Sequence, residues 1–216
     1  MATLGPILEV LLPAAVVSLQ VAGGAWVVSA AVGMVLALAV DTGRLAVVLP
    51  VSASVTVVRS LPQLVVLYLL YFGMGNFGIH FDSVVAAIIG LGIADAVFTA
   101  EYFRAAFTTI PHTQREAGMS LGLSHLDSMR LVIIPQAIPF LVPPLLNSLV
   151  SLMKGATLAA AIGAPEILYA GQSYIKTTGQ IVPVALTIIA LYVIVTLPLT
   201  RAVGWFERRA RSEMHG

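Results

Sequence analysis

Long apolar runs separated by short polar clusters dominate this chain. A membrane-crossing helix needs about 20 predominantly apolar residues, and charge-free runs over 10–40, 60–81, 131–153 and 177–200 meet that length. A fifth apolar stretch, 83–107, carries Asp95, Glu101 and Arg104 in its second half. Its opening residues are apolar enough for a span whose end holds polar groups. The pattern predicts an all-α integral membrane protein with one transmembrane domain over 1–216, its spans near 10–40, 52–74, 83–107, 131–155 and 178–204. A polar segment over 111–130 interrupts it between the third and fourth spans.

That segment obeys local helix rules. Pro111 marks a break, and Thr113 followed three residues later by Glu116 has capping-box spacing, which predicts a helix start at Thr113. Gly122 stands where a helix of about two turns needs a left-handed residue after its end. Ser124 and Asp127 repeat the start signal, so a second short helix leads into the span beginning near Leu131. The product is a compact helix, glycine turn, helix unit that carries Met119, Leu121, Leu123 and Leu126 beside Arg115, Glu116, His125, Asp127 and Arg130. An ordinary connection between two spans needs none of this.

Composition and charge sharpen the class. With 59% hydrophobic and 10% charged residues and a mean hydropathy of +0.99, the chain lacks the polar surface to coat a soluble domain. A net charge of +1 excludes a general affinity for nucleic acid. The lack of cysteine excludes a disulfide framework and thiol chemistry. The first residues, Met1 to Glu9, lack the basic start and small-residue cleavage site of a secretory signal, so the first span is expected to be retained. Lys and Arg accumulate on cytoplasmic loops. With the N-terminus outside, the inner segments hold Arg44, Arg59, Arg104, Arg115, Arg130, Arg201, Arg208, Arg209 and Arg211, against Lys154 and Lys176 outside. The expected orientation is N-terminus out, C-terminus in, with the 111–130 loop in the cytoplasm. The first span is rich in small residues (Gly23, Gly24, Ser29, Ala30, Ala31, Gly33, Ala37), which suit close helix packing either within the subunit or between subunits.

Glu116-Ala117-Gly118, then Gly122, then Val132-Ile-Ile134-Pro135 resembles the EAA loop of ABC importer membrane subunits, with Gly118 for the third alanine, Val132 for Ile and Ile134 for Leu. The likeness continues through Arg59-Ser-Leu-Pro62-Gln63, Thr99-Ala-Glu101-Tyr-Phe-Arg104, Pro135-Gln136-Ala137, Leu152-Met-Lys154-Gly-Ala-Thr157-Leu158 and Pro165-Glu166-Ile-Leu. In this order these segments resemble the polar amino acid branch of such permeases over roughly residues 15–210. Departures are Ala156 within the Lys-x-Thr-Ser-Leu run and Asp95-Ala-Val before the Glu-x-x-Arg.

The resemblance implies a multi-pass subunit of a bacterial-type inner membrane, in contact with lipid. It would work with a second permease subunit, identical or related, with a dimer of separate ATP-binding subunits and with an extracytoplasmic substrate-binding protein. The loop residues Arg115, Glu116, Ala117, Gly118, Leu121, Gly122 and His125 would fit the ATPase and transmit its closure. No cofactor is expected on this chain; ATP and Mg would sit on the partner. No Gly-x-x-x-x-Gly-Lys-Ser/Thr phosphate loop occurs, so ATP hydrolysis would need a separate polypeptide.

Charged or polar groups at membrane depth face a partner, a cavity or a pathway. Gln63, Asp95, Glu101, Arg104, Asn147, Lys154, Thr157 and Glu166 are candidates for a translocation path or gate. Glu101 and Arg104, at i and i+3, suit a salt bridge in preference to a gate or loop anchor. Asp95 either complements a cationic substrate or pairs with Lys154, the pair being preferred. Lys154 could also extend to the interface, and Gln63, Asn147, Thr157 and Glu166 are equally suited to interhelical hydrogen bonds. Gly118-Met-Ser120-Leu-Gly122 matches a nucleophile-elbow pattern that requires a strand before the serine, which helical flanks do not supply. Gly73-Met-Gly75-Asn-Phe-Gly78 matches a dinucleotide pattern but follows a span and reads as an outer loop. His80, His112, His125 and His215 share no ligand spacing, so no metal site is expected. The other function classes consistent with the pattern are a self-contained channel or secondary carrier, and an intramembrane hydrolase using Ser120.

Overall fold

The computed structural model describes the backbone of residues 4–213 and side chains through Arg208, so Arg209, Arg211 and His215 of the sequence reading fall outside the described side chains. The first helix, α1 (Leu4–Asp41), runs unbroken for 38 residues. At 1.5 Å per residue it is about 57 Å long, more than the hydrocarbon core of a bilayer requires.

The expected second span is two pieces. Helix α2 (Leu45–Ser60) ends before Leu61, which has φ −88° and ψ 136°, and α3 (Gln63–Tyr68) restarts after Pro62. The two axes are turned 104° from each other. The cause is local: the ring of Pro62 drives the preceding residue out of the helical region. The run from Tyr68 continues through a wide turn over Leu69–Gly73 and a tight one over Met74–Phe77 before Gly78, at φ +75°, reverses the chain. The glycine-rich segment, expected as a loop, is therefore itself built of helical turns that close at Gly78, and it follows a helix and not a strand.

Helix α4 (Ser83–Thr109) is capped by Asp82, whose Oδ1 accepts from the Val84 amide at 2.9 Å. It packs along α1 more extensively than any other pair of elements in the described residues. Small residues permit the approach: a Cβ on Gly92 would meet Val28 side-chain carbons at 2.7 Å, and one on Gly33 would meet the Thr99 methyl at 2.9 Å. Gly33, Ser29 and Ala37 are all buried in this seam, so these small residues of the first span serve packing inside the subunit.

Beyond α4 come α5 (His112–Ser120) and α6 (His125–Ser128), then a wide turn over Met129–Ile133 and α7 (Ile134–Gly155) with a tight extension over Ala156–Ile162. The wide turn precedes Pro135, whose missing N–H and ring bulk disturb the regular pattern one turn upstream. A further helix, α8 (Ile167–Thr178), separates α7 from the last, α9 (Ile181–Glu213). At 12 residues α8 is too short to register as a span in the apolar pattern.

The core is layered along the helices. Val21, Ala22 and Ala25 of α1 meet Leu67, Leu91, Leu152 and Met153 in the middle. Ala37, Phe103 and Phe107 meet Met129, Ile133 and Ala137 beneath α5 and α6. Ile7 and Leu11, at the opposite end of α1, pack on Ile167 and Val184. The C-terminal ends of α1 and α4 thus lie side by side at the α5–α6 end.

Candidate functional site

At that end the chain builds a rigid helical hairpin. The cap of helix α5 lies two residues earlier than the capping-box spacing implied: it is Pro111, without a side-chain bond, and its ring holds Ile110 before it extended (φ −79°, ψ 126°). Thr113 therefore lies inside the first turn, and Glu116 does not reach back to a cap amide. Its Oε1 lies 3.0 Å from His112 Nδ1 in an exposed i,i+4 pair. The end of α5 is a Schellman turn. The Gly122 amide donates to the Met119 carbonyl at 2.9 Å, the Leu123 amide to the Gly118 carbonyl at 3.2 Å, and Gly122 takes φ +83°. The two crossed bonds satisfy carbonyls that the helix end would leave open. Ser124 then caps α6, its Oγ accepting from the Asp127 amide at 3.2 Å and lying 2.5 Å from Asp127 Oδ2.

The hairpin shows an apolar tip. Leu121 is 84% exposed, Leu126 68% and Met119 46%, flanked by exposed Glu116, Ala117, Asp127 and Arg130. Its base is tied to α1: Arg115 donates from both terminal nitrogens to Asp41, at 3.0 and 3.2 Å, and His125 Nε2 lies 2.9 Å from the same carboxylate. Gly118 is buried against Ser128, whose buried Oγ has no hydrogen-bond partner, and a Cβ on Gly118 would come to 3.0 Å from it. Ser120 is no nucleophile elbow. It ends a helix, and its hydroxyl donates to the Glu116 carbonyl at 2.9 Å.

The intramembrane candidates separate into distinct environments. Asp95 does not pair with Lys154. Its Oδ2 accepts from Ser29 of α1 at 2.7 Å, Thr99 of α4 at 3.2 Å and Ser148 of α7 at 2.6 Å, which ties three helices at a buried point. Hydroxyls from its own helix and from two others replace the expected cation. Glu101 and Arg104 do pair, at 3.1 Å, on an exposed face. With Arg59, which stacks 5.1 Å from the Phe98 ring centre, they line a cleft of about 340 Å³ between α1, α2 and α4. Arg104 also borders a cleft of about 460 Å³ that reaches Asp41, His112 and Arg115.

Lys154 is exposed and shares a groove of about 280 Å³ with Thr157 and the α9 residues Ile188, Tyr192 and Thr196. Thr157 donates to the Lys154 carbonyl at 2.8 Å. Gln63 approaches the other side of this bend, its Oε1 3.7 Å from where a Cβ on Gly155 would stand. Asn147 is exposed on α7. Glu166 is fully buried. Its Oε1 accepts from the Tyr169 amide at 2.7 Å as the cap of α8, and its Oε2 lies 3.4 Å from both Ser18 and Tyr192 hydroxyls. The structure therefore gathers the loop residues Arg115 to His125 into one unit and leaves the membrane candidates dispersed over several separate places.

Sequence reasoning overlooked Asp41, Ser29, Ser148 and Ser18. Asp41 carried a signal: an acidic residue in the last turn of a helix opposes the macrodipole and calls for a cationic neighbour. The serines carried none, since their partners lie 53 to 149 residues away along the chain.

Spans of this length around a hydroxyl-pinned carboxylate, with a capped hairpin standing off one end, define a multi-pass membrane protein of the helical type. The chain belongs to the family of binding-protein-dependent transport system inner membrane components, whose model matches residues 31–212. It is 30% identical over 187 residues to the probable glutamine ABC transporter permease protein GlnM of Bacillus subtilis (strain 168), covering 85% of this chain and 87% of that one. It is 43% identical over 119 residues to the probable amino-acid ABC transporter permease protein YckA of the same organism, spanning 55% of this chain and about half, 53%, of YckA. The crystal structure of an amino acid ABC transporter with histidines superposes with a TM-score of 0.82 at 28% identity, covering 93% of this chain and 94% of that one. An inward-facing MetNI methionine ABC transporter shares the fold, with a TM-score of 0.78 at 24% identity.

Proposed function

We propose that this chain is the permease subunit of an ATP-driven importer for a polar amino acid or amino-acid derivative. The observation that carries the coupling role is the hairpin over 112–128: two capped helices around a left-handed glycine, apolar at the tip and anchored at the base. An exposed apolar tip on a folded loop suits a groove in a partner protein. A lever that conveys force must also hold its shape, which the crossed bonds at Gly122 and the cap at Ser124 provide.

Two permease subunits form the path between them, and each hairpin seats on one of two ATP-binding subunits. ATP and Mg are held by those partners, and their closure draws the two hairpins together and opens the helices outward. The amino-acid substrate is supported by the relatives' names. An extracytoplasmic binding protein delivers it. The hairpin faces the cytoplasm, with the N-terminus outside and the C-terminus inside, in accord with the arginine bias.

The test is ATP hydrolysis by the reconstituted complex of this chain, its ATPase and its binding protein, measured against a panel of amino acids and their derivatives. Stimulation by one or a few polar amino acids is expected. Hydrolysis indifferent to the whole panel would contradict the assignment.

A further inference from the structure

The hairpin is joined to the membrane helices at more than its chain ends. Helix α1 closes tightly, with Gly43 at φ +65°, its amide donating to the Val40 carbonyl at 3.2 Å, and the Thr42 hydroxyl donating to the Ala39 carbonyl at 2.7 Å. The last residue of that helix, Asp41, projects its carboxylate at the hairpin. There it takes a two-pronged contact from Arg115 of α5 and a third contact from His125 of α6. Both arms of the hairpin therefore converge on one carboxylate. Arg115 is fixed in turn by Met129, its second terminal nitrogen lying 3.2 Å from the Met129 sulfur.

An acid at this position works against the partial negative charge of the helix end. The Arg115 guanidinium offsets that, and the His125 ring adds a hydrogen-bonding contact. A guanidinium that grips both carboxylate oxygens also sets direction as well as distance. The Asp41 and Arg115 side chains are only 18% and 20% exposed, which limits screening by solvent.

We propose that Asp41 is a positioning residue for energy coupling: it locks both arms of the hairpin to the end of α1, so that α1 and α4 follow the hairpin as one body. The inference rests on the coupling role of the hairpin proposed above. α4 is already continuous with α5 through Ile110 and Pro111, and α1 is seamed to α4 at Gly33 and Gly92. The Asp41 contact closes this triangle. Without it, a pull on the hairpin bends the α4–α5 connection and leaves α1 and α4 behind together.

The test uses the full complex of this chain, its ATPase and its binding protein in proteoliposomes. Substrate uptake is divided by ATP hydrolysed, a ratio that does not depend on how much complex folds. For Asp41→Asn, co-isolation of the ATPase stays at the wild-type amount, while uptake per ATP falls roughly tenfold or more, as expected for loss of one charge-assisted contact. Asp41→Glu recovers a substantial part of the ratio. Combining Asp41→Asn with Arg115→Gln lowers it no further than the stronger single change, because both act through one contact.

A wild-type ratio in Asp41→Asn would overturn the proposal, as would multiplication of the two single effects or loss of ATPase co-isolation in Asp41→Asn. The coupling role itself is tested separately by Leu121→Asp at the tip. Undiminished ATPase binding and uptake in that variant would refute the role of the hairpin, whatever Asp41 does.

Discussion

Gly122 gives the most decisive single perturbation. Its φ of +83° lies in the left-handed region, and a Cβ added there meets no atom within 4 Å. A substitution at this position thus acts through backbone strain and not through a clash. For an L-residue that strain is about 1–2 kcal/mol, which displaces the population of the hairpin geometry about 5- to 30-fold. Relief of the strain would break the crossed bonds from the Gly122 and Leu123 amides and splay α5 from α6. Gly122→Ala should therefore lower uptake per ATP hydrolysed by a factor in that range. Gly122→Val, branched at Cβ, should lower it further, and Gly122→Asn, which tolerates this region, should stay close to wild type. Membrane level and helix content should be unchanged in all three. The assay is uptake and phosphate release measured on the same proteoliposomes. Wild-type coupling in Gly122→Val would refute the claim that the turn must be rigid.

Further outcomes follow from the packing. Gly118→Ala alone gains helix propensity but meets Ser128 Oγ at 3.0 Å, whereas combined with Ser128→Ala it should raise stability by up to about 1 kcal/mol; thermal loss of monodispersity in detergent reads both. Asp95→Leu removes the shared acceptor of Ser29, Thr99 and Ser148, leaving Ser29 and Thr99 only their bond to each other, and should cost about 1–3 kcal/mol, while Asp95→Asn, which keeps an acceptor, should cost clearly less in the same assay. Gly33→Ala should destabilise by about 1–3 kcal/mol through contact with Thr99 and the Ala100 backbone. Gly23→Ala, in open space on the same helix, should be neutral or mildly stabilising.

What could be read ahead of the structure is what local rules control. The apolar runs placed the helices, and the left-handed turn at Gly122 and the cap at Ser124 depend on neighbours within a few residues. Thr113 was misread for an equally local reason. Pro111 had already opened the helix, which moved Thr113 past the cap position and gave Glu116 to His112. The break at Pro62 was legible in principle, but the apolar run continues across it and masks the bend. Helix α8 went unnoticed because a search for spans passes over a short helix, although Glu166 and Gly179 mark its two ends. The partners of Asp95 and Glu166 were beyond local rules altogether. A hydroxyl on another helix satisfies a carboxylate as a cation would, and nothing in the order of residues says which of the two arrives.

The central claim is that this chain takes its driving force through the hairpin from a separate ATPase. Its most direct test is uptake into proteoliposomes that hold the chain alone, the chain with its ATPase and binding protein, or that same complex with residues 113–124 replaced by a glycine-serine linker. The account predicts uptake only in the second case, and only with ATP. Uptake by the chain alone, or undiminished uptake with the linker, would contradict it.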